Sequence, residues 1–534
     1  MRASGVLFAC AAFALAACAP TTHVTVPASP DAPLRLAINT EPHSLVSLLS
    51  QSIQENEICR LIYDPLIASD GAGRPVPALA LVVPTRLNGG ISGDGLTITY
   101  HLRPGVFWHD AKPFTSADVV ASFHAVMDPK SVVQSRHGYD VVAKVEAPDA
   151  LTVRFHLKRP FAPFVGTVFA ESDAPYYVAP AHLLRNGLAR SPLATAPVGT
   201  GPYRFTRWAR GDRLELAANA AYWGGKPAIA GVTVRFITDE NTQLVSLRTG
   251  ELDGIIGLSA NAAAIAHGVE HQRVVTSPLN AYWGIMMNNA RGPMRDRRVR
   301  RAIAEAVNAE QFRLNVTHGL YAPAVADLPS ALWAADPLLK PIGYDPGHAR
   351  RLLAEAGYGG AHRLVLDLAI LQSSQTHRVQ AVAVQGALRA LGVDVRIHPY
   401  LGHVFDSPPS EGGILTRGRY DLAFYGWYAG MDPDNSGQFM CDQRPPAGYD
   451  HSFYCSPEMD AAQRVALASY DEDTRRRAYM RIEALLLRDV PIAFLGSPVA
   501  ISVIRDDLDG FVPSLVTQTA NAQHWSLRAA SPAP

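Results

Sequence analysis

Short alternating strands that run into capped helices restrict this chain more than any other feature. "LRLAIN", from Leu34, sets Leu34, Leu36 and Ile38 against Arg35 and Asn39, the period of a half-buried strand. "LTITYHLRPGVFWHD" repeats the pattern with Ile98, Tyr100 and Leu102, then turns at Pro104-Gly105. It leads into "TSADVVASFHAVM", where Thr115 or Ser116 caps a helix, Asp118 occupies the first turn, and Val119, Val120, Phe123 and Val126 form an apolar stripe. "DPGHARRLLAEAGY" has Asp345 as cap, Pro346 in the first turn, Leu352, Leu353 and Ala356 for packing and Gly357 to end it. "HRVQAVAVQGALRALG" stops at Gly392 before a strand, "VDVRIHPY". The alternation predicts mixed α/β architecture, and the lack of a fixed repeat argues against solenoids and propellers. With 534 residues, the chain is too long for one core and calls for two or three domains.

Lys plus Arg equals Asp plus Glu at 48 each, so no global field draws the chain to nucleic acid. The basic run from Arg295 to Arg301 precedes Ile303, Ala306 and Val307 at helical spacing and reads as a solvated helix face. At the N-terminus, Arg2 is followed by an uncharged run, Gly5 to Ala17, far shorter than the roughly twenty residues of a bilayer-spanning helix. It reads as a signal peptide. The run ends in "LAAC", Leu15 to Cys18, which resembles the bacterial lipobox and makes Cys18 the expected lipid attachment and first mature residue. Residues 19–33 contain four prolines and read as a tether. Export implies an oxidising compartment, so Cys441 and Cys455 are candidates for a local bridge, whereas Cys59 has no obvious partner and reads as a buried apolar group. The cysteine spacing is not that of a zinc site.

"GTGPYRF", residues 199–205, begins like a phosphate-cradling loop, but Arg204 stands where a dinucleotide loop needs a third small residue, and the stretch through Tyr203, Phe205, Leu214 and Leu216 reads as strand. The histidines are scattered and form no His-Glu-x-x-His pair. Ser259 in "GLSAN" lacks the second glycine of a nucleophile elbow. These residues give no support to an enzyme, and no metal or cofactor is expected.

Eight blocks, in order, resemble the large extracytoplasmic solute-binding proteins of ABC importers for peptides, dipeptides and nickel chelates. They are "NTEP" (39–42), "LIYDPLIASD" (61–70), "LTITYHLRPGVFWHDAKPFTSADVVASF" (96–123), "PVGTGPYRF" (197–205), "AYWGGKPAIAGVTVRFI" (221–237), "MRDRRVRRAIAEAVN" (294–308), "YDPGHARRLLAEAGY" (344–358) and "GWYAGMDPDN" (426–435). The resemblance implies an α/β, two-lobed periplasmic-binding-protein type II fold in its large, three-domain variant, with a cleft between the lobes. It divides the mature chain into lobe I (34–69, 192–275 and 505–534), a small inserted domain (70–191) and lobe II (276–504). It also implies that Gly199 and Gly201 supply backbone conformations closed to other residues where the chain rejoins lobe I. The implied function is to capture peptide by hinge closure and deliver it to a permease and its ATPase, as a lipid-anchored monomer in the periplasm or cell envelope.

The likeness lapses at the charge anchors. Dipeptide and oligopeptide binders resembling this chain carry an aspartate three residues after the tryptophan of the "GW" strand, and here that position is Gly430. The arginine that holds a dipeptide carboxylate is missing from "LAILQSSQTHR", where Arg378 comes later. The remaining ligand-binding candidates are Tyr282, Trp283 and Asn288 on one strand, Tyr425, Trp427 and Tyr428 on another, and Asp432 by analogy. Trp283 and Tyr425 suit core packing as well as a cleft wall, while Trp427 is expected to face the cleft. Cargo is expected to be peptide, with another small solute (oligosaccharide, opine or metal chelate) or a two-lobed sensor or chaperone as alternatives.

Overall fold

The computed structural model describes residues 32–49, 52–172 and 174–528. The signal peptide, Cys18 and nearly all of the tether lie outside these. Two sheets organise the body. The first has seven strands in the order 272–278, 499–505, 254–256, 34–38, 231–236, 213–218 and 203–209. Leu34–Ile38 lies near its centre, parallel to both neighbours, with Leu36 opposite Gly254 and Leu34 opposite Val232. Period-2 alternation feeds two cores: Leu34, Leu36 and Ile38 enter one, while Ala37 joins Ile255 and Val503 in the other. The second sheet has five strands, ordered 394–400, 365–371, 422–428, 281–287 and 492–496.

The two sheets share a crossing. Strand 272–278 pairs antiparallel with 499–505 in the first sheet, and its continuation 281–287 pairs antiparallel with 492–496 in the second. The chain therefore passes between lobes at 279–280 and again at 497–498, where Ser497 Oγ donates to Ala281 O (2.8 Å). The division expected from sequence is displaced here. Val499–Arg505 belongs to the first sheet, so the second lobe ends before it and not at 504, because an antiparallel partner must return beside the strand it pairs with.

A third body carries the sheet 97–101, 152–157 and 142–149, with helix Ser116–Met127 packed on it. Thr115 is the N-cap, and with Asp118 it forms a reciprocal capping box. Its core joins Tyr100, Phe123 and Phe155 to Val46 and Leu48 of the first lobe and to Met431 and Leu467 of the second, so 70–191 is not a sealed unit.

A buried ionic network fastens this third body to the first lobe. On helix Ile53–Ile62, Arg60 donates from Nε to Glu171 Oε1 (3.1 Å) and from Nη1 to Asp64 Oδ1 (3.0 Å), with Arg60, Asp64 and Glu171 all buried. Asp64 also accepts from Thr200 Oγ1 (3.2 Å), Tyr222 Oη (3.1 Å) and Trp223 Nε1 (2.8 Å). Glu171 accepts from Ser69 Oγ (2.6 Å) and Ser514 Oγ (3.3 Å). Asp64 thus draws together three of the sequence blocks: "LIYDPL", "GTGPY" and "YWGGKP".

The "GTGPY" glycines serve this junction, for a different reason from the one expected. Neither Gly199 nor Gly201 has a positive φ. They lie directly against the end of the helix: a Cβ on Gly199 would sit 1.9 Å from Ile62 O, and one on Gly201 2.6 Å from it, while Gly201 N donates to that carbonyl (2.8 Å). Close approach, not left-handed backbone, demands glycine. The basic run also needs correction. Helix Arg297–Ala306 buries Arg300, whose guanidinium donates to Met294 O (2.7 Å) and Asp489 O, so this position is not solvated.

Removing Arg60 strands two buried carboxylates. Arg60→Ala is expected to lower stability by about 3–5 kcal/mol. Chemical denaturation checks this; a loss below about 1 kcal/mol would show that the network is dispensable.

Candidate functional site: the interlobe cleft

The second sheet presents its aromatic strand to the cleft, and the pleat decides which rings arrive there. In strands Ala281–Met287 and Leu422–Tyr428, Tyr282 stands opposite Trp427, and Trp283 opposite Gly426. Directly opposed residues share a face, so Tyr282, Tyr425 and Trp427 point one way, while Trp283 and Phe424 point the other. Trp283 packs into the second lobe's core, stacked on Phe424 (6.3 Å between centroids, planes 9° apart), with Nε1 donating to Gln380 Oε1 (3.1 Å). A Cβ on Gly426 would meet the Trp283 ring at 2.5 Å, so that glycine makes room for the indole.

Two large cavities adjoin the opposite face. One, of about 710 Å³, is lined by Tyr425, Trp427 and Tyr428 from the strand, Ile53 and Asn56 from the first lobe, and Val133–Ser135 from the third body. Tyr449, His451 and Asp406 complete its wall on the second-lobe side. The other, of about 860 Å³, lies between the third body and the second lobe and shares Trp427 and Tyr449. It is more polar, with His137, Arg159, Asp434 and Gln438 on its wall. His137 Nε2 lies 2.7 Å from Asp434 Oδ2, and Tyr449 Oη donates to Gln134 O (3.0 Å), so two polar contacts join the third body to the second lobe beside these cavities. The partnership with His137 holds Asp434 below the usual carboxylate range even though burial acts the other way.

Three sequence candidates reach the cleft and four do not. Trp427, half-buried and 5.1 Å from the Tyr449 ring, borders both cavities. Tyr425 lines the one of about 710 Å³, and so does Tyr428, which opposes Ala281 on the Trp283 parity but stands at the strand's last position. Tyr282 is buried, its hydroxyl donating to Gln438 Oε1 behind the wall. Trp283 is on the core side. Asn288, at the far end of its strand, braces a turn by donating to Gly418 O (2.9 Å) and Tyr420 O (3.2 Å). Asp432 binds Arg475 through both oxygens (2.7 and 3.0 Å), is occupied structurally and lines neither large cavity.

The missing anchors also have physical explanations. A Cβ on Gly430 would lie 2.3 Å from Ser172 Cα, so an aspartate has no room there. Arg378 lies on helix Gln375–Arg389 and donates to Gln372 O.

Sequence reasoning missed Tyr449, His451 and Asp406. The first two ride on the loop closed by Cys441 and Cys455, which are disulfide-bonded with Cα atoms 4.5 Å apart. An aromatic residue inside a cysteine-closed, proline-rich loop, "CDQRPPAGYDHSFYC", was the available signal. Asp406 ends the short helix Gly402–Phe405, where nothing local marks it.

The two tryptophans should separate cleanly. Trp283→Ala is expected to cost about 3 kcal/mol of stability with ligand affinity retained in the folded fraction. Trp427→Ala should leave the melting temperature within a few degrees yet weaken cargo binding by about tenfold or more. Calorimetry on both variants checks this; equal effects on affinity would contradict the opposite facing of the two rings. Asp432→Ala should behave like a core lesion, costing about 3 kcal/mol by stranding Arg475, with denaturant melts as the readout.

Comparison with known proteins agrees with this geometry. Residues 74–445 match the family described as bacterial extracellular solute-binding proteins, family 5. The chain is 30% identical over 430 residues to the glutathione-binding protein GsiB of Pectobacterium atrosepticum, covering 79% of this chain and 81% of that one. It is 29% identical over 489 residues to di/tripeptide-binding protein 2 of Pseudomonas aeruginosa, covering 84% and 86%. The structure of the periplasmic binding protein DppA from Helicobacter pylori in complex with the peptide STSA superposes with a TM-score of 0.77 at 26% identity, covering 93% of this chain and 98% of that one. With the type II two-lobed fold, the cleft and this sequence match in hand, the chain belongs to the bacterial extracellular solute-binding proteins of family 5.

Proposed function

We propose that this protein captures peptides outside the cytoplasm in its interlobe cleft and hands them to the permease of an ABC importer, whose separate ATPase drives transport. The observation that carries the reading is the meeting of three bodies around one aromatic-walled space, with Ile53, Ser135 and Trp427 bordering the same cavity. Cavities of about 710 and 860 Å³ match the roughly 300–1,000 Å³ of small-molecule sites. The names of the relatives support peptide over the other solutes, since glutathione and di- and tripeptides are themselves peptides.

The crossings at 279–280 and 497–498 are narrow enough to act as hinges. A peptide touching all three bodies favours the closed arrangement by the difference between its affinities for the closed and open forms. The protein works as a monomer, tethered through lipid on Cys18 of the "LAAC" sequence. Among the described residues no helix is long and apolar enough to cross a membrane.

Two measurements test this reading. Mass spectrometry of material released from protein purified without refolding should find peptides, and adding them back to stripped protein should shrink the radius of gyration in solution scattering. Recovery of only a sugar or a metal chelate would overturn the peptide assignment. The mature N-terminal peptide should carry a diacylglyceryl group on Cys18 that is lost in Cys18→Ser; an unmodified wild-type N-terminus would overturn the anchor.

A further inference from the structure

The cavity of about 710 Å³ has a one-sided charge pattern. Among the described residues that line it, Asp406 alone carries a formal charge at neutral pH. The other acid-base group on the wall, His451, is 5% exposed, and burial lowers its imidazole to about 4, so it is neutral. The Asp406 carboxylate accepts no hydrogen bond among the described residues; its near neighbour, His451 Nε2, is 3.9 Å away, too far for one. Its side chain is 59% exposed and opens onto the cavity, and the surrounding walls raise the carboxyl to about 6, which leaves it mostly ionised at neutral pH. The arginines nearest in sequence to this wall are committed elsewhere: Arg136 donates to Val126 O (3.0 Å) and Asp128 O (2.8 Å), Arg417 to Pro409 O (2.5 Å) and Arg444 to Phe453 O (3.1 Å).

The same cavity is walled by Tyr425, Trp427, Tyr428 and Tyr449, whose ring faces are electronegative. Two buried polar atoms in the same wall, the Tyr425 hydroxyl and His451 Nδ1, also have no hydrogen-bond partner among the described residues. An unpaired carboxylate within aromatic walls is the chemistry that recognises a positively charged nitrogen.

We propose that the cargo carries a cationic nitrogen, an ammonium, quaternary ammonium or guanidinium, which seats among Trp427, Tyr428 and Tyr449 against the Asp406 carboxylate. The inference rests on the proposed function, with the cleft as the cargo site. It gives this chain a charge anchor at a place other than Gly430, where backbone contact with Ser172 excludes a side chain. A neutral or anionic cargo would leave Asp406 unpaired and desolvated on closure, so the cavity selects against it.

The test is capture from a chymotryptic casein hydrolysate, which contains peptides with and without Lys or Arg, by stripped wild-type protein and by Asp406→Asn, with eluted peptides sequenced by mass spectrometry. A parallel arm uses the same hydrolysate after N-acetylation of α-amines under conditions that spare lysine. The Asp406 side chain holds no hydrogen bond among the described residues, so the variant should fold with an unchanged melting temperature. Two wild-type results support the proposal if Asp406→Asn reduces the effect at least tenfold. Enrichment of Lys- and Arg-bearing peptides assigns the cation to a side chain; refusal of acetylated peptides assigns it to the α-ammonium. Equal capture by both proteins of acetylated peptides that lack lysine, arginine and histidine overturns the cation inference and leaves peptide capture standing. If wild type captures no peptide, the peptide reading fails and the cation inference is decided by calorimetry with choline and spermidine: binding that is weakened at least tenfold in Asp406→Asn supports it, and no binding of either overturns it.

Discussion

The buried ion cluster of Arg60, Asp64 and Glu171 is the constraint on which the arrangement of the three bodies depends. One guanidinium is enclosed between carboxylates from different parts of the chain, and Asp64 adds donors from Thr200, Tyr222 and Trp223. Charges taken this far from water are tolerable only when every one is paired and hydrogen-bonded, so the cluster forms as a set. The end of helix Ile53–Ile62, the third body at Glu171, the returning chain at Thr200 and the C-terminal segment at Ser514 are therefore positioned together. Glu57, on the same helix, extends the arrangement by accepting from the backbone N–H groups of Gln518 (2.9 Å) and Thr519 (3.0 Å).

With the third body held on the first lobe, the proposed hinge motion falls to the two crossings between the sheets. Beside the cleft, the second lobe meets the third body through His137 with Asp434 and Tyr449 with Gln134, and beneath it through Met431 and Leu467 in a shared core. The Tyr449–Gln134 contact is exposed and can exchange with water at little cost, whereas the Asp434 side chain beside His137 is buried, as the Arg60 cluster is.

Much of the fold was legible because its signals are local. Thr115 with Asp118, Asp345 with Pro346, and the alternation of Leu34, Leu36 and Ile38 each act within a few residues, and each element forms where the pattern places it. Trp427, expected at the cleft, borders both cavities. For Trp283 the sequence leaves core and wall equally open, and register makes the choice: Trp283 opposes Gly426, on the face that packs against helix 375–389 through Gln380. Asn288 and Asp432 stand close to distinctive blocks, yet their polar groups are consumed by Gly418 and Tyr420 in one case and by Arg475 in the other. Asp406 left no local pattern, and for Tyr449 and His451 the only one was the cysteine-closed loop that carries them, because a binding wall is assembled from segments that need share only a direction.

By itself the sequence determined the alternation of strands and helices, their caps and stops, and the family blocks, since each depends on neighbours along the chain or on order within it. Only the tertiary structure decided why Gly199 and Gly201 must be glycine, where the chain crosses between lobes, which aromatic rings face the cleft, and which carboxylate stands there unpaired. Those outcomes depend on distances between residues far apart in sequence, such as Gly199 and Ile62 or Asp406 and Trp427, and a distance of that kind exists only once the sheets have formed and packed.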